Sequence, residues 1–388
     1  MELHNPTLVV LLGGTALATL LALLAVLSRK GRTEDTARAY LAGFTYVLSD
    51  DPDAAIAELS RAAQLNTETL ETYFALGALF RRKGELDRAI RLHRNILLRP
   101  GLETEVRRRA QLELALDYKH SALNDQAVET FEKLLAADPD NQEALLHYRR
   151  LLESAADWQR ALQIQLRLAA SAGADQTILA HLLAASARAQ DATDLRQGLA
   201  LAEKAVAMQP RSADAQLALG ESLIAMGRGA EAERPLRASL ELEPELAPKA
   251  TRLWATAGLD SGPLESFLGR QIGARPDKRA PFELALAVLF RATERPDLAL
   301  ERLRRLVELT PRFWEARKEL GNLLLAQGRA EELRKDYREI LSTLGEPALG
   351  FVCTSCRQRL PEHGFRCPSC EEWDTIQREQ SRGSSPLI

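Results

Sequence analysis

Two patterns of apolar residues divide the chain. The first is one unbroken run, TLVVLLGGTALATLLALLAVLS, from Thr7 to Ser28, in which no residue is charged. A helix over this run rises about 33 Å, enough to cross a hydrocarbon core of about 30 Å. The second pattern runs from about Ala37 to Leu344 and reads as short amphipathic helices, with Pro mainly at the turns between them. Small residues recur there at a spacing of 34: Gly43 and Gly77, Ala55 and Ala89, Ala127 and Ala161, Ala287 and Gly321, with Pro210 and Pro244 at the same interval.

The clearest unit is AQLALGESLIAMGRGAEAERPLRASLELEP, ending at Pro244. With Pro244 as position 32, Leu219 is at 7, Gly220 at 8, Gly227 at 15 and Ala232 at 20. The unit ending at Pro311 fits the same frame through Ala287, Phe290, Ala299 and Leu306. This period and pattern resemble the tetratricopeptide repeat, a helix–turn–helix unit. Small residues at 8 and 20 let the two helices approach, large ones at 7, 11 and 24 fill the space around them, and the proline ends the second helix. About nine units fit, starting near 36, 70, 106, 141, 177, 213, 247, 281 and 314; the fourth, fifth and seventh keep the least of the pattern. The expected fold is all-α, a tetratricopeptide-repeat superhelix with a concave groove.

The flanks of the first run orient it. Arg29, Lys30 and Arg32 follow it, and Glu2 is the one charged side chain ahead of it. A cleavable signal peptide has the reverse order. Positive charge marks the cytoplasmic side of a span. Residues 1–30 are therefore expected to be a single-pass transmembrane anchor, with the bulk of the chain in the cytoplasm. Gly14, Ala18 and Ala22 form a small-residue stripe suited to packing against another membrane helix.

The charge balance, 51 basic against 54 acidic residues, argues against a general nucleic-acid binder. No His-Glu-x-x-His, Gly-x-Ser-x-Gly or phosphate-loop motif is present, no catalytic residue is identified, and a non-enzymatic role is expected. His93 and His120 read as helix-lining residues. The second repeat is rich in Arg and Lys (Arg81, Arg82, Lys83, Arg88, Arg91, Arg94, Arg99). The preferred reading is a solvated face balanced by Glu85 and Asp87; the alternative is a surface for anionic lipid or an acidic partner.

All four cysteines lie near the C-terminal end, as Cys353-x2-Cys356 and Cys367-x2-Cys370. Two such turns supply four thiolates for a tetrahedral ion. Cytoplasmic thiols stay reduced, which disfavours disulfides. A segment this short buries too little to fold alone, so an ion is expected to supply most of its folding energy. Phe351, Phe365 and Trp373 are expected to pack around the site, and the knuckle to stabilise or orient the last repeat. Iron and zinc both suit a tetrathiolate. The Cys-Pro-Ser-Cys turn resembles the second knuckle of rubredoxin, which favours iron. The first knuckle departs from that pattern, because Arg357 stands where glycine is usual and a positive φ is expected. The domains are thus expected at 1–30 (anchor), 36–344 (repeats), 350–376 (rubredoxin-like metal-binding domain) and 377–388 (flexible tail).

The combination, together with YLAGFTYVLSD from Tyr40, LGALFRRKGELDRAIRLHRNIL from Leu76 and FRCPSCEEWDTIQ from Phe365, resembles the lipopolysaccharide assembly protein B family of Gram-negative bacteria. The resemblance implies a regulator at the cytoplasmic face of the inner membrane. It would help a membrane AAA+ protease degrade the deacetylase that commits precursor to lipid A, under restraint by a lipopolysaccharide-sensing inner-membrane protein. It also implies metal ligation by Cys353, Cys356, Cys367 and Cys370. A structural scaffold gathering lipopolysaccharide synthesis and transport enzymes is the alternative, and a metal- or redox-sensing enzyme using the knuckle a third.

Overall fold

A computed structural model describes residues 51–65, 70–172, 176–190, 194–343 and 350–379, with a few helical positions between 38 and 46. The expected anchor, residues 1–30, and the tail from 380 lie outside the described residues. Among the described residues no helix is long and apolar enough to cross a membrane.

The fold is all-α with a small C-terminal sheet. Among the described residues, a helix α1 (Pro52–Leu65) precedes eight helix pairs. These are α2 and α3 (Leu70–Lys83, Leu86–Leu97), α4 and α5 (Thr104–His120, Asn124–Ala137), α6 and α7 (Gln142–Ser154, Trp158–Ala172), and α8 and α9 (Gln176–Arg188, Leu195–Met208). They continue as α10 and α11 (Ala213–Ala225, Gly229–Leu242), α12 and α13 (Ala247–Thr256, Ser261–Ala274), α14 and α15 (Arg279–Ala292, Pro296–Leu309), and α16 and α17 (Trp314–Ala326, Ala330–Thr343). Three short strands follow: β1 (Phe351–Cys353), β2 (Arg359–Leu360) and β3 (Ile376–Arg378).

The small residue at position 8 explains how each pair closes. A Cβ on Gly220 would lie 2.6 Å from Leu236 Cδ2, and one on Gly43 2.6 Å from Leu59 Cγ. Both partners stand sixteen residues on, at position 24. In the second repeat position 24 is His93, and a Cβ on Gly77 would run into its ring. The turn between paired helices needs a left-handed residue just past the first helix. Gly84, Gly227, Gly258 and Gly328 fill it with φ of 84, 74, 65 and 69°, and Ala122, Ala156 and Glu294 take the same place at 56, 56 and 57°. Glycine adopts this region without the Cβ clash that penalises the other three.

The chain divides into two compact units, residues 1–151 and 152–388. In the first, His93 and Asp117 are fully buried. His93 Nδ1 lies 2.5 Å from Asp117 Oδ2, and Arg81 bonds Asp117 at 2.6 Å and Glu113 at 2.7 Å. The second repeat's basic residues are thus only partly a solvated face. Arg81 is built into the next repeat, Arg88 lies over the Phe80 ring at 4.0 Å, and Arg99 over Tyr73 at 4.8 Å. His120 bonds the Leu116 carbonyl of its own helix at 2.7 Å, the local role expected of it. In the second unit the largest core cluster runs from Leu199 to Leu324 around the fully buried Trp254 and Phe282. The Trp254 indole donates to the Asp260 carbonyl at 2.9 Å, which satisfies its one polar atom.

Candidate metal centre

The C-terminal sheet is antiparallel in the order β2-β1-β3, with Phe351 opposite Leu360 and Arg378. It sets two matching turns against each other. Cys353 accepts the Arg357 N–H at 2.9 Å and donates its own to Gln358 at 2.9 Å; Cys367 accepts from Glu371 at 2.9 Å and donates to Glu372 at 2.8 Å. The residue after the second cysteine of each turn is left-handed, Arg357 at φ 64° and Glu371 at 62°. Arg357 therefore takes the conformation that glycine usually supplies.

The four Sγ atoms lie within 4.8 Å of one another. Cys353 to Cys370 is 3.6 Å and Cys356 to Cys367 is 3.7 Å. A disulfide needs about 2.05 Å. A tetrahedral ion with metal–sulfur bonds of about 2.3 Å sets its sulfurs roughly 3.8 Å apart. The cluster therefore fits a tetrathiolate ion and does not fit a disulfide. Cys353 and Cys367 are buried, Cys370 is half-buried and Cys356 is exposed. The Thr375 hydroxyl, 3.2 Å from Cys353 Sγ, and the Cys356 N–H at 3.5 Å hold the Cys353 thiol below its ordinary range. Burial and the neighbouring thiols push Cys370 above it.

Phe351 packs with Cys353, Cys367 and Ile376, as expected. Phe365 and Trp373 turn instead toward the repeats. Trp373 stacks on His181 of α8 with centroids 4.6 Å apart at 16°, and the Phe365 ring is 5.6 Å from the same imidazole. His181 Nε2 lies 2.9 Å from Asp374, and its Nδ1 lies 2.7 Å from Asp214 of α10. Burial lowers the His181 pKa, but the two carboxylates outweigh it and raise it to about 9. Arg188 pairs with Asp214 at 2.7 Å and with Glu221 at 2.6 Å, extending the network.

Two arginines complete the dock. Arg366 pairs at 2.8 Å with Glu153 of α6, whose side chain is fully buried. Arg378 bonds Glu245 at 2.7 and 2.9 Å and Glu315 of α16 at 3.1 Å, with its guanidinium over Phe313 and Phe351. The knuckle thus engages the last repeat through Glu315, in line with expectation, and also reaches earlier repeats as far back as Glu153. These partners were missed. The one available signal was spacing: His181–Asp214 and Arg188–Glu221 are each 33 apart, close to one repeat, which sets residues side by side on neighbouring first helices.

Tetratricopeptide-repeat family models match residues 72–104, 183–250 and 284–346. Lipopolysaccharide assembly protein B of Escherichia coli K12 is 27% identical over 349 residues, covering 87% of this chain and 88% of that protein. The Haemophilus influenzae protein of the same name is 24% identical over 363 residues, with 87% and 89% covered. Among solved structures, a tetratricopeptide repeat protein from Parabacteroides merdae matches 75% of this chain and 99% of its own, at 13% identity and a TM-score of 0.38. The chain is a tetratricopeptide-repeat protein with a C-terminal four-cysteine knuckle, and it is a relative of lipopolysaccharide assembly protein B.

Proposed function

We propose that this protein is an inner-membrane regulator of lipopolysaccharide biosynthesis. It acts as an adaptor that promotes degradation of the lipid A pathway deacetylase by a membrane AAA+ protease, restrained by a lipopolysaccharide-sensing membrane protein. The observation that carries this reading is similarity to lipopolysaccharide assembly protein B over 87% of the chain. The residues add a mechanism. Cys353, Cys356, Cys367 and Cys370 hold one metal ion, iron by the rubredoxin resemblance or zinc, and the ion supplies rigidity to a segment with little core of its own. In residues 152–388, the first helices bearing Glu153, His181 and Glu315 are engaged by the knuckle. The groove of the repeats holds the client, and the segment 1–28 keeps the assembly at the membrane.

Affinity purification from detergent-solubilised membranes tests the reading, alongside the half-life of the deacetylase. Enrichment of protease and deacetylase together, with a longer deacetylase half-life when residues 1–28 are deleted, is the expected result. Enrichment of synthesis or transport enzymes without the protease, at unchanged half-life, replaces the adaptor with the scaffold. Elemental analysis of the full chain should give one iron or zinc per protein.

A further inference from the structure

Thr375 follows Asp374 in the chain, and the pair joins the repeats to the cysteine cluster. On one side the Thr375 hydroxyl is 3.2 Å from Cys353 Sγ. A metal-bound sulfur carries no proton, so a hydrogen bond between these two atoms must be donated by the hydroxyl. The hydroxyl can turn to it at small cost. Its other partner is the Glu372 carbonyl at 3.4 Å, and that oxygen already accepts the Cys367 N–H at 2.8 Å. On the other side Asp374 is left-handed, at φ 54°. It is held there by its N–H to the Phe365 carbonyl at 2.6 Å and by its carboxylate on His181 at 2.9 Å. Thr354 clasps the Thr375 carbonyl through its N–H at 2.7 Å and its hydroxyl at 3.2 Å.

We propose that Thr375 is a positioning residue of the metal centre, donating its hydroxyl to the Cys353 sulfur, and that His181 of α8 acts on the metal through it. The hydroxyl withdraws charge from the thiolate and fixes the orientation of its lone pairs. His181, itself pinned by Asp214 and Arg188, fixes the turn that presents the hydroxyl. Occupancy of the cluster and the state of the neighbouring repeats are then coupled in both directions.

This inference rests on the reading of the four cysteines as a metal site, and cobalt(II) loading of the full chain separates the two. Failure of the wild-type chain to develop a sulfur-to-cobalt charge-transfer band removes the site itself. With the band present, Thr375→Val should move it to lower energy, because a sulfur without the hydrogen bond gives up charge more readily. The same variant should bind cobalt roughly 10-fold more weakly in chelator competition. Thr375→Ser should match wild type in both. If Thr375→Val does not fold, Thr375→Ala removes the hydroxyl without adding an apolar branch and is read the same way. His181→Gln should weaken binding in the wild-type background and add nothing to Thr375→Val. A band and affinity unchanged by loss of the hydroxyl would overturn the role of Thr375. Additive losses in the double variant would overturn the route from His181.

Discussion

His181 faces a carboxylate from each ring nitrogen, Asp214 at 2.7 Å and Asp374 at 2.9 Å, so both nitrogens donate and the ring is an imidazolium. Its pKa is raised to about 9 in the folded chain against about 6.5 unfolded. The stabilisation from this charge is complete below pH 6.5 and is lost as pH rises through 9. Asp214, pulled below its ordinary range by Arg188 and His181 against the cost of burial, contributes in the opposite sense and is lost in acid. Urea unfolding of the full chain should show stability falling between pH 6.5 and 9 by up to about 3 kcal/mol. His181→Gln should be less stable at pH 6 and flat across that window; an equal slope in the variant would assign the loss to another group. Arg357 gives a second case. It is exposed and left-handed at φ 64°, so Arg357→Gly should raise the thermal midpoint of the knuckle, by about 1 kcal/mol in stability. This strain was legible, because the position falls where the rubredoxin turn wants glycine. The roles of Asp374 and His181 were not, since they stand 193 residues apart and no local pattern joins them.

At the scale of the helix pair, the contact between positions 8 and 24 decides the tolerance for a methyl group. Gly220→Ala would set Cβ against Leu236 within a fully buried core, and should cost about 1–3 kcal/mol. Gly269 lies in the interior of α13 with nothing within 4 Å of a built Cβ, so Gly269→Ala should stabilise by up to about 1 kcal/mol through helix propensity. Chemical denaturation of the two variants side by side checks the pair; a shared sign would mean that helix propensity, not packing, governs both sites. The period of 34 made the small residue at position 8 readable, because close approach recurs at Gly43, Gly77 and Gly220, though at Gly321 a Cβ would meet only Leu333 at 3.5 Å. What fills position 24 is read less well. His93 occupies it in the second repeat, and its charge partner Asp117 comes from the next repeat. Apolar periodicity does not report such a pair, and the arginine-rich stretch around Arg81 looked like a surface for the same reason.

Within residues 152–388 the repeats and the knuckle share one charge balance. Glu153 and Glu245 are recessed carboxylates on the repeats answered by Arg366 and Arg378 of the knuckle, while His181 of α8 stands between Asp214 of the repeats and Asp374 of the knuckle. Removing these partners would weaken the compensation of the buried charges, most at a fully buried site such as Glu153. The knuckle has a small core, so an ion that holds its four sulfurs together would also hold its docking residues in place. Cys367→Ser, or chelation of the wild-type chain, should therefore reach beyond residues 350–379. Hydrogen exchange should speed up in the knuckle and also in the turns of α6, α8 and α16 that carry Glu153, His181 and Glu315, while α2 to α5 keep their rates. Arg366→Met should loosen the α6 contact with the metal still bound. Faster exchange confined to the knuckle after metal loss would make the ion pairs bystanders, and the repeats would then hold their buried acids by some other means. The docking follows from contacts between residues far apart in the chain, Glu153 with Arg366 and His181 with Asp374 among them, each an ordinary surface charge in one dimension. The spacing of the four cysteines points to an ion, but that the knuckle also docks on the repeats becomes visible only once the chain has brought Glu153 to Arg366 and Glu245 to Arg378.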